Sequence, residues 1–204
     1  MNDDVAGRVL VHMAGLITPE IFEIKQYCKD NNLFFLTDDA HSFGDYAVEK
    51  MEVERALSQT NLNYKIIRPS YIVGMGNHRP RLGYYISQLK NKKPISIDGD
   101  GDYPINLVFA DDVVKCLIGL IHNGNRTLRT YNICNDESIT INKLIGFLKS
   151  ELNIENHETI DSTDSLFPNQ EFEFSNEEIK DDYNVNFTDL KQGIRKYIRE
   201  YNEL

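Results

Sequence analysis

Strand-like and helix-like stretches take turns along this chain, and that alternation restricts it to an α/β architecture built on a parallel sheet. The apolar run Arg8 to Met13 reads as a strand. Pro19, with Thr18 as cap, opens a helix through Asp30 whose Ile21, Ile24 and Cys28 share one face. Leu33 to Leu36 is a second strand, ending on Asp38-Asp39. Two strands joined by a helix pair in parallel, with the helix crossing over the sheet.

The rhythm continues downstream. A helix is expected from about Tyr46 to Ser58, then a buried strand from Tyr64 to Arg68, stopped by Pro69, which cannot donate to a ladder. Gly74 and Gly76 mark a loop. A helix from about Leu82 to Lys90 leads to a strand at Ile95 to Ile97, a turn at Asp98-Gly99-Asp100-Gly101 and a strand from Asn106 to Phe109. Asp111 or Asp112 caps a helix to about His122, with Val113, Val114, Leu117, Ile118 and Ile121 as its apolar stripe. Tyr131 to Cys134 is a strand, and Thr140 caps a helix that buries Ile141, Leu144, Ile145 and Leu148. The polar, acidic stretch from Asn153 to Asn176 reads as a loop-rich excursion. A last helix, Thr188 to Tyr201, sets Leu190, Ile194, Tyr197 and Ile198 at helical spacing.

At 204 residues and 41% hydrophobic composition the chain can bury one substantial core. Its 22 basic and 32 acidic side chains leave a formal charge of -10, which repels phosphate backbones and anionic membranes. Nucleic acid and membrane are therefore not expected as partners. An anionic ligand would need a local cluster of cations, for which Arg79 and Arg81 are candidates. Met1 to Leu10 shows no leader pattern, and no stretch is apolar enough to span a bilayer. Cys28, Cys116 and Cys134 are odd in number and widely spaced, which suits reduced thiols in a cytoplasmic protein and not a disulfide frame or a metal site.

Tyr46-Ala-Val-Glu-Lys50 heads the helix that begins near residue 46. Positions four apart lie on one helix face, so the phenol and the ammonium can share a cleft. A neighbouring ammonium stabilises a phenolate and lowers a pKa that is normally near 10, which makes tyrosine a usable acid or base. A solvated Tyr-Lys pair on a surface helix has the same spacing.

From Tyr46 onward the order of landmarks resembles the extended short-chain dehydrogenase/reductase family, the NAD(P)-dependent nucleotide-sugar epimerases, dehydratases and reductases. Tyr46-x-x-x-Lys50-x-x-x-Glu54 looks like its active-site helix, and Arg68-Pro69-Ser70-Tyr71-Ile72-Val73-Gly74-Met75-Gly76 like the strand and loop that follow. Lys93-Pro94-Ile95 to Gly101 resembles its substrate-domain hairpin, and Val108-Phe109-Ala110-Asp111-Asp112-Val113 the next helix start. Tyr131-Asn132-Ile133, Glu137-Ser138-Ile139-Thr140 and the closing amphipathic helix complete the series.

The resemblance implies an incomplete Rossmann-like parallel sheet with a smaller C-terminal α/β substrate-binding region. It makes Tyr46 the acid/base, makes Lys50 its activator and a holder of the nicotinamide ribose, and sets Pro69 and Ser70 beside the nicotinamide of NAD or NADP. Many nucleotide-sugar members carry an arginine before the strand that leads to Asp111, where this chain has Pro104-Ile105-Asn106. Asn106 joins Arg79 and Arg81 as a candidate for holding a nucleotide sugar. The glycine fingerprint Gly-x-x-Gly-x-x-Gly is absent, so the chain reads as a truncated or fused member. A homodimer through the Tyr46 helix follows from resemblance.

Residues 9–44 resemble something else. Val11-His12-Met13-Ala14-Gly15-Leu16 and Thr37-Asp38-Asp39-Ala40-His41-Ser42-Phe43-Gly44 are similar to DegT-type sugar aminotransferases, in which Asp38 would pair with the pyridinium nitrogen of pyridoxal phosphate. No Schiff-base lysine motif follows, so pyridoxal phosphate is not expected to bind, and Asp38 and Asp39 suit a solvated strand end equally well. This reading divides the chain into a 1–45 β-α-β segment and a 46–204 catalytic and substrate-binding portion. The alternatives are a noncatalytic domain that binds a sugar nucleotide or pairs with a subunit, and an aminotransferase fragment.

Overall fold

The computed structural model describes residues 45–59, 64–77, 80–122, 130–169 and 173–203. The strands and helix expected over 8–36, together with Asp38, lie outside them. In chain order the elements are α1 (Asp45–Ser58), β1 (Ile66–Pro69), β2 (Tyr71–Val73), α2 (Arg81–Lys90), β3 (Ile95–Ile97), β4 (Pro104–Phe109) and α3 (Ala110–His122). There follow β5 (Thr130–Ile133), β6 (Ser138–Thr140), α4 (Ile141–Leu152), β7 (Thr159–Asp161), α5 (Glu177–Tyr183) and α6 (Leu190–Asn202). The result is an α/β protein whose strands pair mainly in parallel.

Two compact units share these elements. The first holds α1 and β1 with Val113–Ile133 and Asn176–Val185, and the second holds Tyr71–Asp112, Cys134–Ser175 and Asn186–Leu204. In the first, β1 lies parallel to β5, with Ile66 opposite Thr130 and Pro69 opposite Ile133. Ile66, Ile67, Tyr131 and Ile133 are all buried, the near-continuous apolar character of strands covered on both faces. Tyr131 donates its hydroxyl to Asp182 of α5 at 2.6 Å, and its ring meets Tyr183 edge-on at 5.4 Å. No helix is expected at 177–183 from pattern, because among its seven residues only Ile179 is buried.

On α3 the stripe differs from expectation. Val113, Cys116, Leu117 and Leu120 are buried, at the i, i+3, i+4, i+7 spacing of one face. Val114 and Ile118, assigned to that stripe, are 52% and 50% exposed. The helix starts at Ala110, so Asp111 and Asp112 fall inside its first turn instead of capping it. Asp112 is fully buried and accepts from the Thr188 backbone N–H at 3.0 Å and from the Thr188 hydroxyl at 2.9 Å. Asp111 instead takes Lys196 at 2.5 Å.

The second unit has one continuous core. Leu82, Tyr85, Ile86 and Leu89 of α2, Ile141, Leu144, Ile145 and Leu148 of α4, and Leu190, Ile194, Tyr197 and Ile198 of α6 all join it. The caps follow the expected chemistry: Thr140 Oγ1 accepts from the Lys143 N–H at 3.3 Å, and Asp189 Oδ1 from the Gln192 N–H at 2.9 Å. Close approach of α6 to β4 requires glycine at 193, where a Cβ would stand 2.1 Å from the Phe109 ring.

Strand pairing in this unit departs from the expected loops. Tyr71–Val73 is a strand parallel to Leu107–Phe109. β4 starts at Pro104 because Ser138–Thr140 pairs antiparallel with Pro104–Asn106, and proline is tolerated at the first strand position. Nor does Ile95–Ile97 form a hairpin with β4. Gly99 and Gly101, at φ +65° and +73°, turn the chain away, and β3 pairs in parallel with Thr159–Asp161. All three residues of β7 are exposed, so the in-out alternation that marks a strand is missing there. The excursion is nevertheless anchored, by Phe167 at 1% exposure. No helix among the described residues is long and apolar enough to cross a membrane, and no group of three or more His, Cys, Asp or Glu among them could hold a metal ion.

Candidate functional site

Positions 46 and 50 lie one turn apart on α1, and Glu54 lies one turn further along the same face. Glu54 is held by a two-pronged ion pair: Arg68 of β1 donates Nε to Oε1 at 2.8 Å and Nη2 to Oε2 at 2.5 Å. That fork ties the face carrying positions 46 and 50 to the strand ending at Pro69. The side chains of Tyr46 and Lys50 are outside the described residues.

Past Pro69, the Ser70 backbone N–H donates to the Ile133 carbonyl at 2.9 Å and extends the β1–β5 ladder by one bond. Ser70 is 4% exposed, and its hydroxyl has no hydrogen-bond partner among the described residues. A buried hydroxyl left unmatched costs free energy, and such a group is a natural contact for a ligand atom. It sits at the carboxyl end of a parallel pair, the edge where open α/β sheets bind ligands.

In the second unit Arg81 is 7% exposed at the start of α2. Its Nε donates to the Leu166 carbonyl at 3.0 Å, and its guanidinium lies 4.8 Å from the Tyr71 ring and 5.8 Å from Phe167. Tyr71 meets Phe167 edge-on at 4.8 Å, Tyr85 stacks on Phe167 at 5.8 Å, and Tyr103 donates its hydroxyl to the Phe167 carbonyl at 2.6 Å. Arg81 thus clamps the 165–167 segment. Burial pushes the Tyr85 phenol well above its ordinary range and raises Tyr103 as well, so both stay neutral at physiological pH.

Asn106 is 6% exposed, and its Oδ1 accepts the Phe174 N–H at 3.0 Å. Arg81 and Asn106 therefore hold two different parts of the 153–176 excursion, while Arg79 lies outside the described residues. Asn135 escapes a motif search, yet its N–H reaches the Leu107 carbonyl at 2.8 Å and its amide reaches the Thr188 carbonyl at 2.7 Å. With Asp112 it fixes the lead-in to α6. Asn135 lies two residues past the end of β5 and Asp112 in the first turn of α3, and neither position carries a sequence signal of the burial that the structure shows.

This order of a helix bearing Tyr46 and Lys50, a parallel strand ending Pro69-Ser70 and a second α/β unit defines a Rossmann-like class of protein. Residues 26–134 match the model of the NAD dependent epimerase/dehydratase family, and the chain belongs to that family. The match begins upstream of residue 46, so the second half of the 9–44 segment, read above against the aminotransferases, is matched by the epimerase/dehydratase model.

Among curated proteins it is similar to the chloroplast stem-loop binding protein of 41 kDa b of Arabidopsis thaliana, 25% identical over 125 residues, 58% of this chain and 33% of that protein. The chain thus spans about a third of that relative's length. Among solved structures it resembles UDP-glucose 4-epimerase of Thermotoga maritima with UDP-glucose, at TM-score 0.73 and 16% identity over 94% of this chain and 77% of that one. It also resembles dTDP-glucose 4,6-dehydratase of Bacillus anthracis in complex with NAD, at TM-score 0.74 and 15% identity over 96% and 72% of the two chains. At such identities the likeness establishes the fold.

Proposed function

We propose that this chain is the catalytic-helix and substrate-binding portion of an NAD(P)-dependent enzyme acting on a nucleotide-activated sugar, divided functionally near residue 45. The observation that carries the reading is the buried Ser70 hydroxyl, without a hydrogen-bond partner among the described residues, at the carboxyl end of β1, on the strand that Arg68 ties to α1. A polar ligand edge satisfies that group. Pro69 and Ser70 would hold the nicotinamide end of NAD or NADP, which supplies a hydride donor or acceptor when bound. The glycine fingerprint that would cradle its pyrophosphate is not in the sequence.

In this reading Tyr46 passes a proton to or from the sugar hydroxyl. Lys50, one turn on, lowers the phenol's pKa by stabilising the phenolate and binds the nicotinamide ribose. Arg79, Arg81 and Asn106 are proposed to face the nucleotide sugar. Homodimer pairing through α1 belongs to the same proposal, supported by Met51 at 59% exposure on that helix. Pyridoxal-phosphate chemistry on Asp38 is not part of it.

A second reading, a noncatalytic sugar-nucleotide-binding or subunit-pairing domain, draws on Arg81 and Asn106. Each already holds a chain segment through its polar atoms. The Arabidopsis relative is named for binding a stem-loop, whereas a charge of -10 opposes nucleic acid on this chain.

Thermal unfolding with and without NADH or NADPH, together with turnover of UDP-glucose, separates the two. The enzyme reading expects a higher midpoint with cofactor, and expects Tyr46→Phe to keep that shift while losing turnover by about 100-fold or more. Absence of both the shift and turnover would remove it.

A further inference from the structure

The carboxyl ends of α2 and α4 flank an open hollow of about 670 Å³, lined in part by Leu89, Lys92, Lys93, Asn153, Ile154 and His157. Its walls are fixed by backbone bonds. Lys92 N–H reaches the Leu89 carbonyl at 3.2 Å and Lys93 N–H the Gln88 carbonyl at 2.9 Å, while Ile154 N–H reaches the Lys149 carbonyl at 2.9 Å on the other side. Leu89 is 2% exposed and Ile154 half-buried, which makes part of the lining apolar.

The rim is cationic. Lys90 is engaged by Asn202 and stands 5.6 Å from the Tyr201 ring, at the end of α2 where a cation complements the helix dipole. Lys92 and Lys93 lie past that last turn, exposed and without an acidic partner among the described residues. Glu155 is the single carboxylate on the lining. The local charge runs against the whole: the lining sets Lys90, Lys92 and Lys93 against that one carboxylate in a chain of net charge -10. Such a reversal concentrates positive potential where the remainder of the molecule repels anions.

We propose that this hollow binds a small phosphate-bearing metabolite, its phosphate held by Lys92 and Lys93 and its organic part resting on the half-buried Ile154. Lysine is a point-charge partner for phosphate, and the volume lies in the range of small-molecule sites. The amides of Asn153 and Asn156 on the lining offer hydrogen bonds to a polyhydroxylated organic part. None of these residues belongs to the proposed nicotinamide or sugar machinery, so the two readings stand or fall separately.

The test is a titration with glucose 6-phosphate, with inorganic phosphate and glucose as parallel arms, read on the amide NMR resonances of 153–157. Saturable shifts are expected with the sugar phosphate, affinity at least about tenfold weaker with inorganic phosphate, and none with glucose. The Lys92→Asn/Lys93→Gln variant, whose thermal midpoint should be unchanged, is expected to bind about tenfold more weakly or less for each lysine removed. Undiminished binding by that variant, inorganic phosphate matching the sugar phosphate, or no shift up to about 10 mM overturns the proposal.

Discussion

Two glycines within helices have opposite meanings. A Cβ at Gly146 of α4 meets nothing within 4 Å, so Gly146→Ala should stabilise the protein by about 0.5–1 kcal/mol through helix propensity and a less disordered unfolded chain. At Gly193 the same change drives a methyl group into the Phe109 ring. Gly193→Ala should cost about 3 kcal/mol, the upper end for overpacking. Urea unfolding of the two variants checks both signs. Asp112 is a third such residue: Asp112→Ala strips Thr188 of two acceptor contacts and should lower stability by about 1–3 kcal/mol, read as an earlier unfolding midpoint with an unchanged slope. Its acidic type suggested a helix cap; its burial makes it a fastener for a distant backbone N–H.

Elements with long apolar periodicity were legible in the amino-acid pattern; of the three-residue strands only Ile95–Ile97, set between Pro94 and the Asp98-Gly99 turn, was. The buried faces of α4 and α6 follow from spacing alone, because each repeats its stripe over three turns against one core. The strands Tyr71–Val73, Ser138–Thr140 and Thr159–Asp161 are three residues each, too short for alternation to register, and exist through backbone pairing with β4 and β3. The candidate site divides the same way: the Tyr46 and Lys50 spacing and the Pro69-Ser70 strand end are visible in the sequence, while the engagement of Arg81 by the Leu166 carbonyl depends on a contact 85 residues apart. Caps belong to this scale. Thr140→Ala and Asp189→Ala should each cost about 1 kcal/mol, and the double variant close to their sum, since the two caps share no partner.

For the whole molecule, buried phenols set the alkaline limit. Burial raises Tyr85, Tyr103, Tyr131 and Tyr197 above the ordinary value of 10.0, and for Tyr131 the hydrogen bond to Asp182 adds to it. Below pH 10 both folded and unfolded chains keep these protons. Above it the unfolded chain loses them first, so stability is expected to fall as pH rises past 10. Phenolate absorbance followed against pH should show a late fraction ionising together with loss of circular dichroism; smooth titration of all eleven tyrosines while the fold persists would contradict it.

Near neutrality the sign reverses. Partial desolvation and the Lys149 charge lower the exposed His157 below 6.5, so the unfolded chain takes up its proton first as pH falls, and His157→Gln should flatten the acid-side decline in stability.

The chain passes between its two compact units after Ser70, Asp112, Ile133, Ser175 and Val185. Each unit is therefore braided from three separate stretches, and no single cut in the polypeptide frees either of them intact. Gene rearrangement cannot trade one half for another's by swapping a contiguous block; novelty has to enter through the connecting turns, or through added sequence that leaves the braid undisturbed.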